Sequence, residues 1–135
     1  MNRKTVLGNM TSTPIKAYLS RGYFAPLEIM NKLKQIDSLQ ADETESSKEI
    51  ADMVSVLKED ISKLRRQYDE VKNHIQNYTQ DGRHTQILEL RYIHGLSFSD
   101  IAKQMGYCDD HVIRQHSRAV KAFEKYLNEN GVEYQ

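Results

Sequence analysis

From Ile50 to Tyr78 the apolar residues fall at alternating steps of four and three without a break: Ile50, Val54, Leu57, Ile61, Leu64, Tyr68, Val71, Ile75 and Tyr78. That alternation is a heptad seam, with Val54, Ile61, Tyr68 and Ile75 at a and Ile50, Leu57, Leu64, Val71 and Tyr78 at d. Between them Lys58, Glu59, Asp60, Lys63, Arg65, Arg66, Asp69 and Glu70 make a charged outer surface. A helix of this span is ~43 Å long at ~1.5 Å per residue. It cannot bury its seam alone. The chain needs a second long helix, a second copy of itself, or both, and this predicts an all-α protein with an extended helical part.

A partner helix is legible upstream. Between Pro26 and Leu39 the apolar residues Leu27, Ile29, Met30, Leu33, Ile36 and Leu39 recur mostly at steps of three. Each such step falls short of a full turn, so the stripe drifts over about half the circumference. A face that broad touches more than one neighbour. The expected arrangement is an antiparallel hairpin within the chain that also pairs with a second subunit through residues 26–78; a stalk without dimerisation is the alternative. Tyr68 at an a position argues against a tight parallel pair.

Local signals delimit these helices. Thr13-Pro14 is a start signal, a capping hydroxyl followed by proline at the first helical position. Gly22 and Pro26 predict either a short helix ending near Arg21 and a new one from Ala25, or one helix kinked there. Residues 1–12 are polar and unpatterned, and are expected to be poorly ordered. The segment 40–47, QADETESS, reads as an acidic junction in which Ser46 or Ser47 caps the next helix.

Asp81-Gly82 ends the seam, which divides the chain into residues 1–80, a helical coiled-coil region, and 81–130. Residues 83–94 form a helix with Ile87, Leu88, Leu90, Tyr92 and Ile93 as apolar residues and Gly95 past its end. Ser97, with Asp100 three residues on, opens a short helix whose apolar face is Ile101, Ala102 and Met105. Gly106 makes a corner that suits a residue without a Cβ. Asp109 is expected to cap a last helix, in which Val112, His116, Ala119, Val120 and Phe123 share one side. This is a three-helix unit containing a helix-turn-helix, a motif whose second helix enters the major groove while the first crosses the backbone.

The face opposite Val112 carries Asp110, His111, Arg114, Gln115, Arg118 and Lys121. Arginine fits the acceptor pair of guanine, and glutamine the adenine edge. Arg114 and Gln115 are therefore the main base-reading candidates, followed by His111 and Asp110. Asp110 either accepts from a cytosine amino group or offsets the helix dipole. Arg118 and Lys121 lie further along and suit phosphates, joined by Ser97, Ser99 and Lys103 at the first helix. The formal net charge is zero, so any basic footprint must be local; Arg114, Arg118, Lys121 and Lys125 against Glu124 supply one.

Other chemistry finds little support. Cys108, His111 and His116 are close in sequence, but the two histidines are separated by roughly 140° on a helix and do not face one ion. His116 is expected to be a satisfied core residue with its polar tip at the surface. No glycine-rich phosphate loop or nucleophile constellation is present, so no catalysis, metal or cofactor is expected. The single cysteine excludes an internal disulfide and suits a reducing cytoplasm. The first residues hold no apolar core long enough for a signal peptide, and no run approaches the ~18–20 residues that span a bilayer. A cytoplasmic protein without membrane contact is expected.

The segment LRYIHGLSFSDIAKQMGYCDDHVIRQHSRAVKAF resembles the fourth conserved region of bacterial sigma factors, through Leu-Arg-Tyr, Gly-Leu-Ser-Phe, Asp-Ile-Ala, Gly-Tyr, Val and Arg-Ala in that order. With the helical N-terminal part, the chain resembles the small sigma-like regulators of phages and prophages, the ArpU/RinA kind of late-gene activator. Asp110 stands where sigma factors often have a small residue, His116 replaces an aliphatic one, and no part resembles the promoter-melting region. The resemblance implies a sequence-specific regulator that binds double-stranded DNA and contacts host RNA polymerase. Two rival readings share these features: a phage small terminase subunit, and a protein that binds polymerase or sigma rather than DNA.

Overall fold

The computed structural model describes residues 13–41, 47–78 and 80–134. The expectations for residues 1–12 and for a cap at Ser46 lie outside these. The described residues form five α-helices and no strand: α1 (Pro14–Ala41), α2 (Ser47–Asn77), α3 (Gly82–Leu88), α4 (Phe98–Met105) and α5 (Asp109–Glu129), with a π-helical stretch Glu89–Ile93 continuing α3. The described residues are thus all-α, a long helical hairpin followed by a three-helix unit.

α1 starts as its first residues dictate. Thr13 accepts from the Lys16 N–H through Oγ1 at 3.3 Å and from the Ala17 N–H through its carbonyl at 2.9 Å. The helix then runs unbroken through Gly22 and Pro26, so of the two sequence alternatives the single helix holds. Pro26 has no N–H for the Gly22 carbonyl, so one backbone bond of the helix is not made there. At Gly22 the backbone of α1 comes close to the C-terminal unit: a Cβ there would stand 2.9 Å from the Tyr92 carbonyl oxygen. Its small size serves this approach rather than a break.

α2 lies antiparallel to α1. Near the hairpin's tip Ile36 meets Val54 and Ile61, and an ion pair joins Lys32 to Asp60 at 3.6 Å. Of the heptad seam, Val54, Ile61, Val71, Ile75 and Tyr78 are buried, while Ile50, Leu57, Leu64 and Tyr68 are half-buried. Leu27, Met30, Leu33, Met53 and Val56 stay exposed on the outer sides of the shaft.

At its base the hairpin shares one core with the C-terminal helices. Ile15, Tyr18 and Leu19 of α1, Val71 and Ile75 of α2 and the following Tyr78 pack with Leu88, Tyr92, Ala119, Val120, Phe123 and Leu127. Tyr18 also hydrogen-bonds Nδ1 of His74, tying α1 to α2 at this level. Burial raises the pKa of the Tyr18 hydroxyl, and the nearby Glu70 charge adds to the effect.

α3 begins at Asp81, whose carboxylate accepts from the N–H groups of Arg83 at 2.9 Å and His84 at 3.3 Å. An ordinary helix to His94 is expected from the sequence; the last turn is instead π-helical, with the His94 N–H donating to the Glu89 carbonyl at 3.0 Å. The wider turn lets three consecutive residues, Leu90, Arg91 and Tyr92, all lie buried.

Candidate nucleic-acid interface

The helix-turn-helix is built from short-range chemistry. Ser97 is extended, and its Oγ accepts from the Asp100 N–H at 3.1 Å, which opens α4. Gly106 takes the left-handed conformation at φ 75°, and the Tyr107 N–H then donates to the Ala102 carbonyl at 2.9 Å. Ile87, Leu90, Phe98, Ile101, Ala102 and Val112 close a small core between the helices. The cap of α5 is Cys108 rather than Asp109. The Val112 N–H donates to the Cys108 carbonyl at 3.2 Å, so Asp109 is already inside the first turn and no side chain caps that end. Asp109 and Asp110 still suit the positive end of the helix dipole.

Two polar residues brace this unit from inside. Arg91 is buried, with its guanidinium 4.1 Å above the Phe98 ring and Nη1 donating to the Leu96 carbonyl at 3.1 Å. It thus holds the segment that enters α4. Desolvation lowers its pKa from the usual arginine value. His116 is buried too, with Nε2 2.8 Å from the Tyr92 hydroxyl and its ring 4.9 Å from that of Phe98. The expected polar tip at the surface is therefore corrected: Tyr92 meets that tip inside the core. Burial, with the charges of Arg91 and Lys16 adding to it, lowers the His116 pKa to about 3, so the imidazole is neutral.

With Val112, His116, Ala119, Val120 and Phe123 turned inward, the opposite side of α5 is open. Asp110, Arg114, Arg118 and Lys121 are exposed. They recur at steps of four and three and so share one face. His111 and Gln115 are half-buried at one edge of it, with the His111 ring 4.6 Å from that of Tyr107. On α4, Ser99 and Lys103 are exposed, and Ser97 is half-buried at its start. Ser97 already accepts a backbone N–H, but its own O–H proton remains available to a phosphate.

No ion pair among the described residues engages Lys103, Arg114, Arg118 or Lys121. Their charges are thus free for an external anion. Lys125, further along, lies 3.9 Å from Glu129 in an exposed pair of little energetic weight. The sequence pattern does not single out two further residues of the same open face, Ile113 and Ser117. Both are exposed, one three residues and the other seven after Asp110. The spacing from Asp110 was the available signal.

Among the described residues no helix is long and apolar enough to cross a membrane. No curated protein and no solved structure matches the chain. Residues 81–123 match the family described as Sigma-70, region 4, so this part of the chain is a sigma-region-4-like, DNA-binding helix-turn-helix.

Proposed function

We propose that the protein is a sequence-specific duplex-DNA-binding transcriptional regulator, an activator of phage or prophage late genes. The observation that carries this reading is the division of α5 into two sides. One side is locked into the core through Val112, His116 and Phe123, and the other presents Asp110, Arg114, Arg118 and Lys121 unpaired to solvent. In this reading α5 enters the major groove and α4 crosses the backbone. Arg114 reads a base, with Asp110, His111 and Gln115 beside it. Arg118, Lys121, Lys103, Ser97 and Ser99 hold phosphates and set the register.

The exposed Leu27, Met30 and Leu33 along the shaft support pairing of two copies through residues 26–78. Two-fold pairing predicts half-sites in phase, about 34 Å or a multiple apart. Contact with host RNA polymerase belongs to the same reading and has the resemblance to sigma factors as its sole support. Selection of bound sequences from random duplexes at two salt concentrations tests the proposal. A recovered consensus and a steep loss of affinity with salt support it. Absence of any salt-sensitive binding refutes it in favour of a protein-binding role. A ring of many copies in solution would instead favour a DNA-packaging subunit.

A further inference from the structure

Among the described residues, five of the six large apolar side chains left exposed lie on the hairpin; the sixth is Ile113, 38% exposed, within the first two turns of α5. It belongs to none of the three core clusters. The core of this unit is closed by Val112, its neighbour, which is fully buried. Residues three, four and seven apart are surface neighbours on a helix. Asp110, Ile113, Arg114 and Ser117 have that spacing, and all four are exposed. The N-terminal turns of a recognition helix are the part that reaches base edges. Three members of this patch can make polar contacts, and one cannot. In the major groove the thymine C5 methyl is the apolar feature that sets one base apart, while the other edges present donors and acceptors.

We propose that Ile113 reads the C5 methyl of a thymine next to the base contacted by Arg114. The inference rests on the duplex-binding reading given above. A β-branched side chain suits the task. Its χ1 is nearly fixed in a helix, so little rotamer freedom is lost when the contact forms. Burying it against the methyl also leaves no polar group unpaired, whereas the amino group of a cytosine at that position would face a side chain with no acceptor.

The test uses the full chain and a duplex recovered by selection, with each thymine replaced in turn by deoxyuridine, which removes only the methyl. The native protein should lose roughly four-fold in affinity at one or two positions, the size expected for one methyl leaving an apolar contact. Ile113→Ala should bind the parent duplex more weakly by a similar factor and be indifferent to deoxyuridine at those positions. Its salt dependence should match the native protein, since no phosphate contact is lost. Arg114→Ala should keep the methyl sensitivity. The measurement on native protein alone guards against an unstable variant. Selected sites without a thymine preference, a native protein indifferent to every replacement, or an Ile113→Ala variant as sensitive as the native chain would each overturn the proposal while leaving duplex binding in place. Failure to bind any duplex would remove both readings together.

Discussion

The Tyr92 hydroxyl and Nε2 of His116 lie 2.8 Å apart inside the core that joins the hairpin to the helix-turn-helix. One residue comes from the π-helical turn and the other from the buried side of α5. The bond therefore fixes the back of the recognition helix to the element that supports it. With the imidazole neutral, the Tyr92 hydroxyl and Nε2 satisfy each other, and the histidine adds no charge to that of the buried Arg91 nearby.

This pair makes stability depend on pH in a defined direction. The folded pKa of His116 is lowered from 6.5 to about 3. Below pH 6.5 the unfolded chain binds a proton that the folded chain refuses, so stability present above that pH drains as pH falls toward 3. The slope is at most ~1.4 kcal/mol per pH unit for one group. Urea midpoints between pH 7.5 and 5 should fall for the native chain. They should fall less for His116→Gln, in which an uncharged amide replaces the imidazole. Parallel curves would show that other groups carry the effect.

Arg114→Ala should cost ~1–3 kcal/mol on the selected duplex and relax preference at one base pair. Lys121→Ala should weaken all sequences alike and flatten the salt dependence by about one unit of slope. Titrations on specific and random duplexes at several salt concentrations separate the two roles. An equal loss on both duplexes for Arg114→Ala would remove it from base reading.

Gly22→Ala should destabilise the protein despite favouring helix. Alanine gains up to ~1 kcal/mol in a helix interior. The added Cβ would stand 2.9 Å from the Tyr92 carbonyl oxygen and 3.0 Å from Cδ1 of Ile93, and the first of these is backbone. Overpacking of this kind costs ~1–3 kcal/mol, so the clash outweighs the propensity. A lower thermal midpoint checks it; a higher one would show that α1 can move away.

Met30→Lys together with Leu33→Lys should leave the monomer folded and abolish pairing. Both side chains are about half exposed, at 55% and 44%, so the fold loses little. Two cations on each facing shaft would oppose association. Sedimentation should give two copies for the native chain and one for the variant, with helicity unchanged. A native protein that stays monomeric at tens of micromolar would rule out the paired arrangement.

The elements that were legible in advance are those set by near neighbours in the chain. The seam from Ile50 to Tyr78 announces a helix because its period does not depend on what covers it. Ser97 and Gly106 announce their turn because a cap and a left-handed corner are made by one or two residues. What escaped depended on distant partners. Gly22 reads as a breaker until the Tyr92 carbonyl is seen against it. His116 reads as a surface-tipped histidine until the Tyr92 hydroxyl supplies a bond inside. The π-helical turn has no local signature; it follows from burying Leu90, Arg91 and Tyr92 together. The shift of the cap from Asp109 to Cys108 is a matter of one residue and leaves the acidic first turn in place. On the open face of α5, Arg114 lies centrally, whereas Gln115 and Ile113 sit at opposite margins, because adjacent residues on a helix point roughly 100° apart.

The shared core at the hairpin's base makes the shaft a lever. α2 has 31 residues; at ~1.5 Å per residue that is an arm of about 46 Å. A pivot of ten degrees about the base would carry the far end through about 8 Å. A molecule that grips the tip can therefore sense, or impose, the angle at which α5 meets its target. Because Tyr78 and Phe123 sit edge to face within that core, at 5.8 Å between ring centres, the fulcrum is a pair of aromatic rings rather than a loose hinge.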